Sequence, residues 1–292
     1  MKPEIWDERI CSIGEGPVAT GALHNRILWV DILGQRILWR DLLSGAIGSL
    51  EVGEDVSFVV PKKSGGLVIG TASGPIILLE DGSRESLPSR FDADGYLDPV
   101  PMRWNDAKVA PNGDLWLGTM AYGGIHKVAG LYRLTRDGRL LRRVVTDVEV
   151  SNGLDWSADS KTFFYIDSPT LGIDAFDYHE GHISNRRRVL TLDKNKMEVP
   201  DGMAMDSEGG LWVAFWNGSC VRRFNSEFLV TEEIKLPNRY VTSCAFAGSD
   251  LKTLVITTAK GEPGSIDESP QAGMTFVTYP GVAGKASIPF GD

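Results

Sequence analysis

The chain is poor in the residues that usually announce a site. It has three cysteines in 292 residues, Cys11, Cys220 and Cys244, scattered and odd in number. That excludes a disulfide-stapled framework and a sulfur-ligated zinc site, and it fits reduced thiols in a cytoplasmic protein. Its four histidines, His24, His126, His179 and His182, all fall on predicted turns or loops, which leaves none for base catalysis. No apolar run approaches the roughly twenty residues of a membrane helix. Residues 1–9 lack the apolar core of a secretory leader, so a cytoplasmic location is expected. A basic surplus is also missing, with 30 Lys and Arg against 39 Asp and Glu and a net charge of −9. That balance excludes nucleic acid and anionic membrane as partners. The run Arg186-Arg187-Arg188 is short and reads as a solvated strand end. No linker or low-complexity tract interrupts the chain, so residues 1–292 are expected to form one domain.

What is present is a repeat. Short apolar strands begin at Ile27, Leu67, Leu115, Phe163, Leu211 and Leu254, at spacings of 40, 48, 48, 48 and 43. Turn residues precede several of them, as in Pro111-Asn112-Gly113-Asp114 and Ser207-Glu208-Gly209-Gly210. A period of forty to fifty residues built from short strands is the signature of a β-propeller, one blade per repeat. An unrelated β-sandwich has no reason to hold three successive spacings of 48. The expected fold is therefore all-β, a six-bladed β-propeller with a central channel. Residues 4–9 read as a strand that closes the last blade by pairing near residues 274–279. Trp29, Trp116 and Trp212 recur at one blade position and read as core. Asp31 and Asp167 end strands and read as turn caps.

Ten to twelve residues before each repeat strand stands a polar residue: Glu15, Ser57, Asn105, Asn152, Asp201 and Ser243. The innermost strand of a blade lines the channel, so these six converge on one axis. Two are carboxylates and two are carboxamides, a hard oxygen-donor set suited to Ca²⁺, Mg²⁺ or Mn²⁺, with Zn²⁺ or Fe²⁺ as further options. The plainer alternative is that Glu15 and Asp201 cap turns while Asn152 supplies left-handed backbone before Gly153. Arg103 shares one side of an extended segment with Asn105 by the period of two. Its plainer reading is a salt bridge to Asp98 or Asp106. Ser57 and Ser243 lack a nearby histidine, which disfavours a serine triad. Residues 91–102 read as a polar loop, residues 120–130 as a Gly-rich lid, and residues 260–273 as a surface loop.

The motifs Gly14-Glu15-Gly16-Pro17, Arg103-Trp104-Asn105-Asp106-Ala107-Lys108-Val109, Gly118-Thr119-Met120, Ser151-Asn152-Gly153-Leu154-Asp155-Trp156 and Pro200-Asp201-Gly202 together resemble the regucalcin, gluconolactonase and luciferin-regenerating enzyme family, also called senescence marker proteins. They run through nearly the whole chain in order. The resemblance implies one divalent metal at the channel mouth, with Glu15, Asn152 and Asp201 as its ligands. It implies that Asn105 and Arg103 bind substrate. One departure is plain: Gly123 stands where animal members carry a substrate-contacting glutamate, and Tyr122 or His126 is the local candidate to replace it.

The expected activity is metal-dependent opening of a sugar lactone, with Ca²⁺ the first choice of metal. The metal polarises the ring carbonyl, and Asp201 acts as general base on a water or orients a metal-bound hydroxide. The alternatives are a non-catalytic calcium-binding regulatory protein, or a related propeller esterase or organophosphate hydrolase with a more apolar pocket.

Overall fold

A computed structural model describes residues 1–21, 25–95, 100–124, 127–262 and 264–292. Almost all of the ordered pairing is antiparallel strand. After β1 (Glu4–Asp7), the first meander is β2 (Gly14–Thr20), β3 (Arg26–Asp31), β4 (Arg36–Asp41) and β5 (Ile47–Glu51). The second is β6 (Val56–Pro61), β7 (Leu67–Thr71), β8 (Gly74–Leu78) and β9 (Arg84–Ser86). The third is β10 (Met102–Val109), β11 (Leu115–Ala121), β12 (Ala129–Leu134) and β13 (Leu141–Val148). The fourth is β14 (Ser151–Trp156), β15 (Thr162–Asp167), β16 (Gly172–His179) and β17 (His182–Thr191). A fifth set follows: β18 (Val199–Met205), β19 (Leu211–Trp216), β20 (Cys220–Phe224) and β21 (Val230–Lys235). The chain then makes β22 (Tyr240–Ala247), β23 (Thr253–Ala259), a small hairpin of β24 (Gly261–Glu262) and β25 (Ser265–Ile266), and β26 (Thr275–Thr278). The last two sets join into one eight-stranded sheet through a single residue pair, Trp216 opposite Tyr240.

The repeat strands of the sequence are β3, β7, β11, β15, β19 and β23. They are buried on both faces because each sheet is covered by its neighbours, so they read as continuous apolar runs rather than alternations. Trp29, Trp116 and Trp212 are fully buried. Trp116 meets Trp156 edge-on at 5.9 Å between ring centres, packing the third sheet against the fourth. β1 pairs with β26, Glu4 opposite Val277 and Ile5 opposite Phe276, so the N-terminal strand completes the sheet that the C-terminal strands begin. The stretch read as a loop from residue 91 opens instead with one helical turn, α1 (Arg90–Asp94). Asp92 fixes its start by reaching back to residue 89, with the Ser89 amide and hydroxyl both donating to Asp92 Oδ2 at 2.7 Å. Asp98, His24 and His126 lie outside the described residues. Among the described residues no helix is long and apolar enough to cross a membrane.

The first strands of the six sets touch in a closed cycle, β2 to β6, β10, β14, β18, β22 and back to β2. Each carries one break in register against its second strand. The breaks fall between Glu15 and Val18, Val56 and Phe58, Trp104 and Ala107, Ser151 and Leu154, Pro200 and Met203, and Val241 and Ser243. A bulge bends its strand and re-aims a side chain, here at the same level in every sheet. The Asn152-Gly153 and Asp201-Gly202 pairs are therefore bulges, not hairpin turns. A Cβ on Gly153 would come within 2.6 Å of the Asp201 carbonyl oxygen, and one on Gly202 would strike the Ser243 side chain. Only glycine lets adjacent first strands approach this closely.

The C-terminal segment, residues 283–292, crosses the end of the cycle opposite Arg103. The Ser207 amide donates to the Ala283 carbonyl at 2.8 Å, and the Gly284 amide to the Leu251 carbonyl at 2.8 Å. The Ser287 hydroxyl donates to the Ala19 carbonyl. The Phe290 amide donates to Pro61 at 2.8 Å, and the Gly291 amide to Gly113 at 3.3 Å. With Lys285 on Asp155 at 2.7 Å, the segment is bonded to all six sets. It floors a cavity of about 210 Å³ walled by Phe58, Val60, Met203, Phe246 and Ile288.

Asp155 is the node of this end. It accepts from Lys108 Nζ at 2.8 Å, Lys285 Nζ at 2.7 Å, the Trp156 amide at 2.7 Å and the Met205 amide at 2.9 Å. Burial alone would raise its pKa, but Lys108 and then Lys285 hold the carboxyl well below the usual range. A depressed carboxyl pKa adds stability above its unfolded value and loses it as pH falls through the folded one. We predict that Lys285→Met costs about 2 kcal/mol at pH 7, since it strips a buried carboxylate of one of two cations while the other remains. The deficit against wild type should persist at pH 5 and shrink only below the ordinary carboxylate range, as read by thermal melts across pH.

Candidate functional site

The register breaks bring the six polar positions to one level of the cycle. Glu15, Ser57, Asn105, Asn152, Asp201 and Ser243 are all buried, none more than 6 % exposed. A directed chain of hydrogen bonds links three of the strands. Arg103 Nη1 donates to the Trp104 carbonyl at 3.0 Å and to Asn105 Oδ1 at 2.5 Å. Asn105 Nδ2 donates to the Ser151 carbonyl at 2.9 Å and to Asn152 Oδ1 at 3.0 Å. Asn152 Nδ2 donates to Ser168 Oγ at 2.9 Å, and that hydroxyl donates to the Pro200 carbonyl at 2.7 Å. The chain ends beside Asp201, so the orientation of each amide is set by its neighbours. Arg103 is itself 5 % exposed, and desolvation lowers its pKa. Among the described residues it makes no ion pair with Asp106.

Across the cycle stand the two carboxyls. Glu15 Oε2 accepts from the Gly16 amide. Asp201 Oδ1 is buried and has no hydrogen-bond partner among the described residues. Burial, and then the charge of Asp106, push Glu15 up to about 8. Burial, and then the charge of Glu15, push Asp201 well above the carboxylate range. The interaction between the two carboxyls favours the proton on Asp201 over Glu15. Such a pair is an electrostatic demand for positive charge. A divalent cation would meet it, because a bound ion inverts the local pKa logic and keeps both groups ionised. Among the described residues no group of three or more His, Cys, Asp and Glu side chains is placed to hold a metal. The donor set that fits is mixed, two carboxylates with the Asn152 amide oxygen, and it is all oxygen.

Turn capping does not describe these residues. Glu15, Asn152 and Asp201 all lie within strands, and Asn152 is not among the residues with positive φ. Gly123, at φ +80°, faces open space, while its neighbour Tyr122 donates its hydroxyl to Asp55 at 2.6 Å. Asp31 and Asp167 do cap: Asp31 Oδ1 accepts from the Ile13 and Gly34 amides, and Asp167 Oδ1 from the Glu149 and Val150 amides. The three cysteines are free and buried, and burial pushes each thiol up to about 12.

Two carboxylates escaped the sequence reading. Asp106 follows Asn105 directly, and alternation would send it to the opposite face. The register break falls at this point, the charge of Asp106 acts on Glu15 and Asp201, and burial pushes Asp106 up to about 6. Asp155 lies three residues past Asn152, with nothing in its local pattern to mark the two lysines that hold it. Asp106 and Asp155 line the far cavity, whereas Glu15, Asn152 and Asp201 do not. The cycle thus separates an Arg103 end from a lysine end crossed by the C-terminal segment.

Comparison with known proteins places the chain among relatives over nearly its whole length. The family model "SMP-30/Gluconolactonase/LRE-like region" matches residues 13–260. Regucalcin of Oryctolagus cuniculus is 38 % identical over 94 % of this chain and 93 % of its own length. A Bacillus subtilis (strain 168) protein, provisionally named the sugar lactone lactonase YvrE, is 36 % identical over 95 % of this chain and 94 % of its own. The solved structure of a luciferin-regenerating enzyme superposes with a TM-score of 0.88 at 28 % identity, covering 99 % of this chain and 100 % of that one. On the sequence motifs, the arrangement of strands and these similarities, the chain belongs to the SMP-30/gluconolactonase/LRE-like family.

Proposed function

We propose that the chain is one six-bladed propeller domain and a divalent-metal-dependent hydrolase that opens a sugar lactone. The closed cycle of six first strands supports the six-bladed reading. The observation that carries the function is Asp201 Oδ1, buried without a hydrogen-bond partner among the described residues, its carboxyl raised by burial and then by the charge of Glu15, and carried on the strand beside that of the oriented Asn152 amide. Membership of a family described by gluconolactonase, and a relative named for lactonase activity, support the substrate class.

Glu15, Asn152 and Asp201 would hold the cation, which supplies Lewis-acid polarisation of the ester carbonyl. The chain's own residues do the rest. Arg103, a buried donor, and Asn105 bind oxygens of the lactone and fix it over the carboxylates. Asp201 Oδ1, ionised in the loaded site, takes a proton from the water that attacks the carbonyl carbon. As the ring C–O bond breaks, the leaving oxygen takes up that proton and becomes a hydroxyl. Burial of the site keeps these charges strong. A solved regucalcin structure described as a calcium-binding protein supports a second reading, that the site binds calcium and the chain does not turn over a lactone. Turnover decides between the two.

Initial rates of γ- and δ-aldonolactone hydrolysis should vanish in chelator-stripped protein. They should return when Ca²⁺, Mg²⁺, Mn²⁺, Zn²⁺ or Fe²⁺ is added singly, after subtraction of spontaneous opening. Measurable metal binding with no turnover on any pair would sink the hydrolase. Asp201→Ala should lower kcat by at least about 100-fold with the circular dichroism spectrum unchanged; undiminished turnover would remove Asp201 from the mechanism. A further expectation concerns stability. Metal at a hundredfold excess over its Kd should stabilise the wild type by about 2.7 kcal/mol. Asp201→Asn should abolish that gain yet melt higher than wild type in chelator at neutral pH, because folding no longer has to protonate a carboxyl that is ionised in the unfolded chain.

A further inference from the structure

The Arg103 end of the channel carries polar groups for which the ring chemistry has no use. Three sheets converge there on one carboxylate. Asp55 stands just before β6, Tyr122 just after β11, and Gln35 in the turn between β3 and β4. Tyr122 donates its hydroxyl to Asp55 Oδ2 at 2.6 Å, and Gln35 Nε2 donates to Asp55 Oδ1 at 3.3 Å. All three lie at the Arg103 end by register: β2 and β3 pair Gly14 with Asp31 there, and β10 and β11 pair Met102 with Ala121. The backbone agrees, since the Tyr122 amide donates to the Pro101 carbonyl at 3.0 Å. Tyr122 is 38 % exposed and Asp55 half-buried, so the pair meets solvent at the opening. The charges of Glu262, Asp55 and Glu15 act on the buried Arg103 guanidinium. Burial, and then the bond to Asp55, push Tyr122 up to about 12, so the phenol keeps its proton and remains a donor.

This fixes what the pair offers to a ligand. A carboxylate has about four acceptor positions. Gln35 and Tyr122 each take one, on different oxygens, which leaves each oxygen one more. Arg103 only donates, so it cannot receive the O–H groups of a polyol. Two adjacent hydroxyls donating to one oriented carboxylate match what Asp55 has left. We propose that Asp55, oriented by Tyr122 and Gln35, is the hydroxyl acceptor of the channel mouth and selects lactones bearing two adjacent free hydroxyls. This deepens the lactonase reading and rests on it. The merely structural role, pinning the residue 121–124 turn to the second sheet, would affect every substrate alike.

The test compares D-glucono-δ-lactone with δ-valerolactone, which has the ring but no hydroxyls, on metal-loaded wild type, Asp55→Asn and Tyr122→Phe. The ratio of the two kcat/KM values should fall about tenfold in Asp55→Asn, through KM for the hydroxylated lactone. Tyr122→Phe removes only the orienting donor and should lower the ratio about threefold, which keeps the idea testable if Asp55→Asn folds poorly. An unchanged ratio in both variants, or an equal loss on both lactones, overturns the proposal while leaving the lactonase intact. Should wild type turn over neither lactone with any metal, the lactonase reading fails, and calorimetric titration with glucitol settles Asp55 separately. Weaker glucitol binding by Asp55→Asn than by wild type supports the hydroxyl acceptor. Equal binding, or none by wild type, overturns it.

Discussion

Burying Glu15 against Asp201 is the constraint from which the site follows. Two carboxyls whose charges act on each other, each nearly sealed from water, cannot both be ionised without an opposing charge. A chain selected for stability alone would place neutral or apolar groups there, since apolar packing of similar volume is at least as stable. The pair is retained in a position where its repulsion can be relieved only by a proton or a cation. The orienting chain from Arg103 through Asn105 and Asn152 supplies neutral oxygen donors on the neighbouring strands, and among the described residues no Lys, Arg or His forms an ion pair with Glu15 or Asp201. Charge and donor set therefore point the same way, toward a hard divalent ion.

Holding such a pair requires a frame that does not relax. The frame is the closed cycle of first strands, each bulged at one level, with glycine at 153 and 202 where neighbouring backbones nearly touch. A cycle of separate sheets has little hydrogen bonding between its members, the pair Trp216–Tyr240 being one exception. Two devices compensate. β1 pairs with β26 and ties the chain's beginning to its last sheet. The C-terminal segment then runs across the lysine end and bonds to each set in turn, with Phe290 anchored in the core between the second and third sheets.

The fold was legible because the repeat strands are buried on both faces, so Leu115-Trp116-Leu117 and Leu211-Trp212-Val213 stand out as apolar runs at fixed spacing. The polar level was legible because a side chain such as Glu15 or Asp201 interrupts an otherwise apolar strand at a constant distance upstream. The bulges were not. They are a property of pairing between strands, and alternation within one strand predicts the wrong face for Asp106. The C-terminal segment was invisible for a related reason: it has no period and no apolar run, and its role lies in single bonds to residues hundreds of positions away, as from Ser287 to Ala19. Asp55 and Tyr122 sit in ordinary turn sequence, and only their meeting across two sheets makes them a pair.

Asp155 and Asp201 show how the two ends of one channel are assigned different work. Both are buried aspartates on adjacent first strands, β14 and β18, and burial alone would raise both. Asp155 receives two ammonium groups and two backbone amides, which drive its carboxyl low and leave it no proton chemistry near neutral pH. Asp201 receives instead another carboxylate and is driven high, with one oxygen bound to nothing among the described residues. Environments that push like groups apart separate structural acids from reactive ones. The lysines could not be exchanged between the ends without loss. An ammonium beside Asp201 would neutralise the pair permanently and remove its demand for a metal, while a cation site at Asp155 would free the C-terminal segment. The fold therefore has to keep its two lysines at the end crossed by the C-terminal segment and the unpartnered Asp201 oxygen at the Arg103 end.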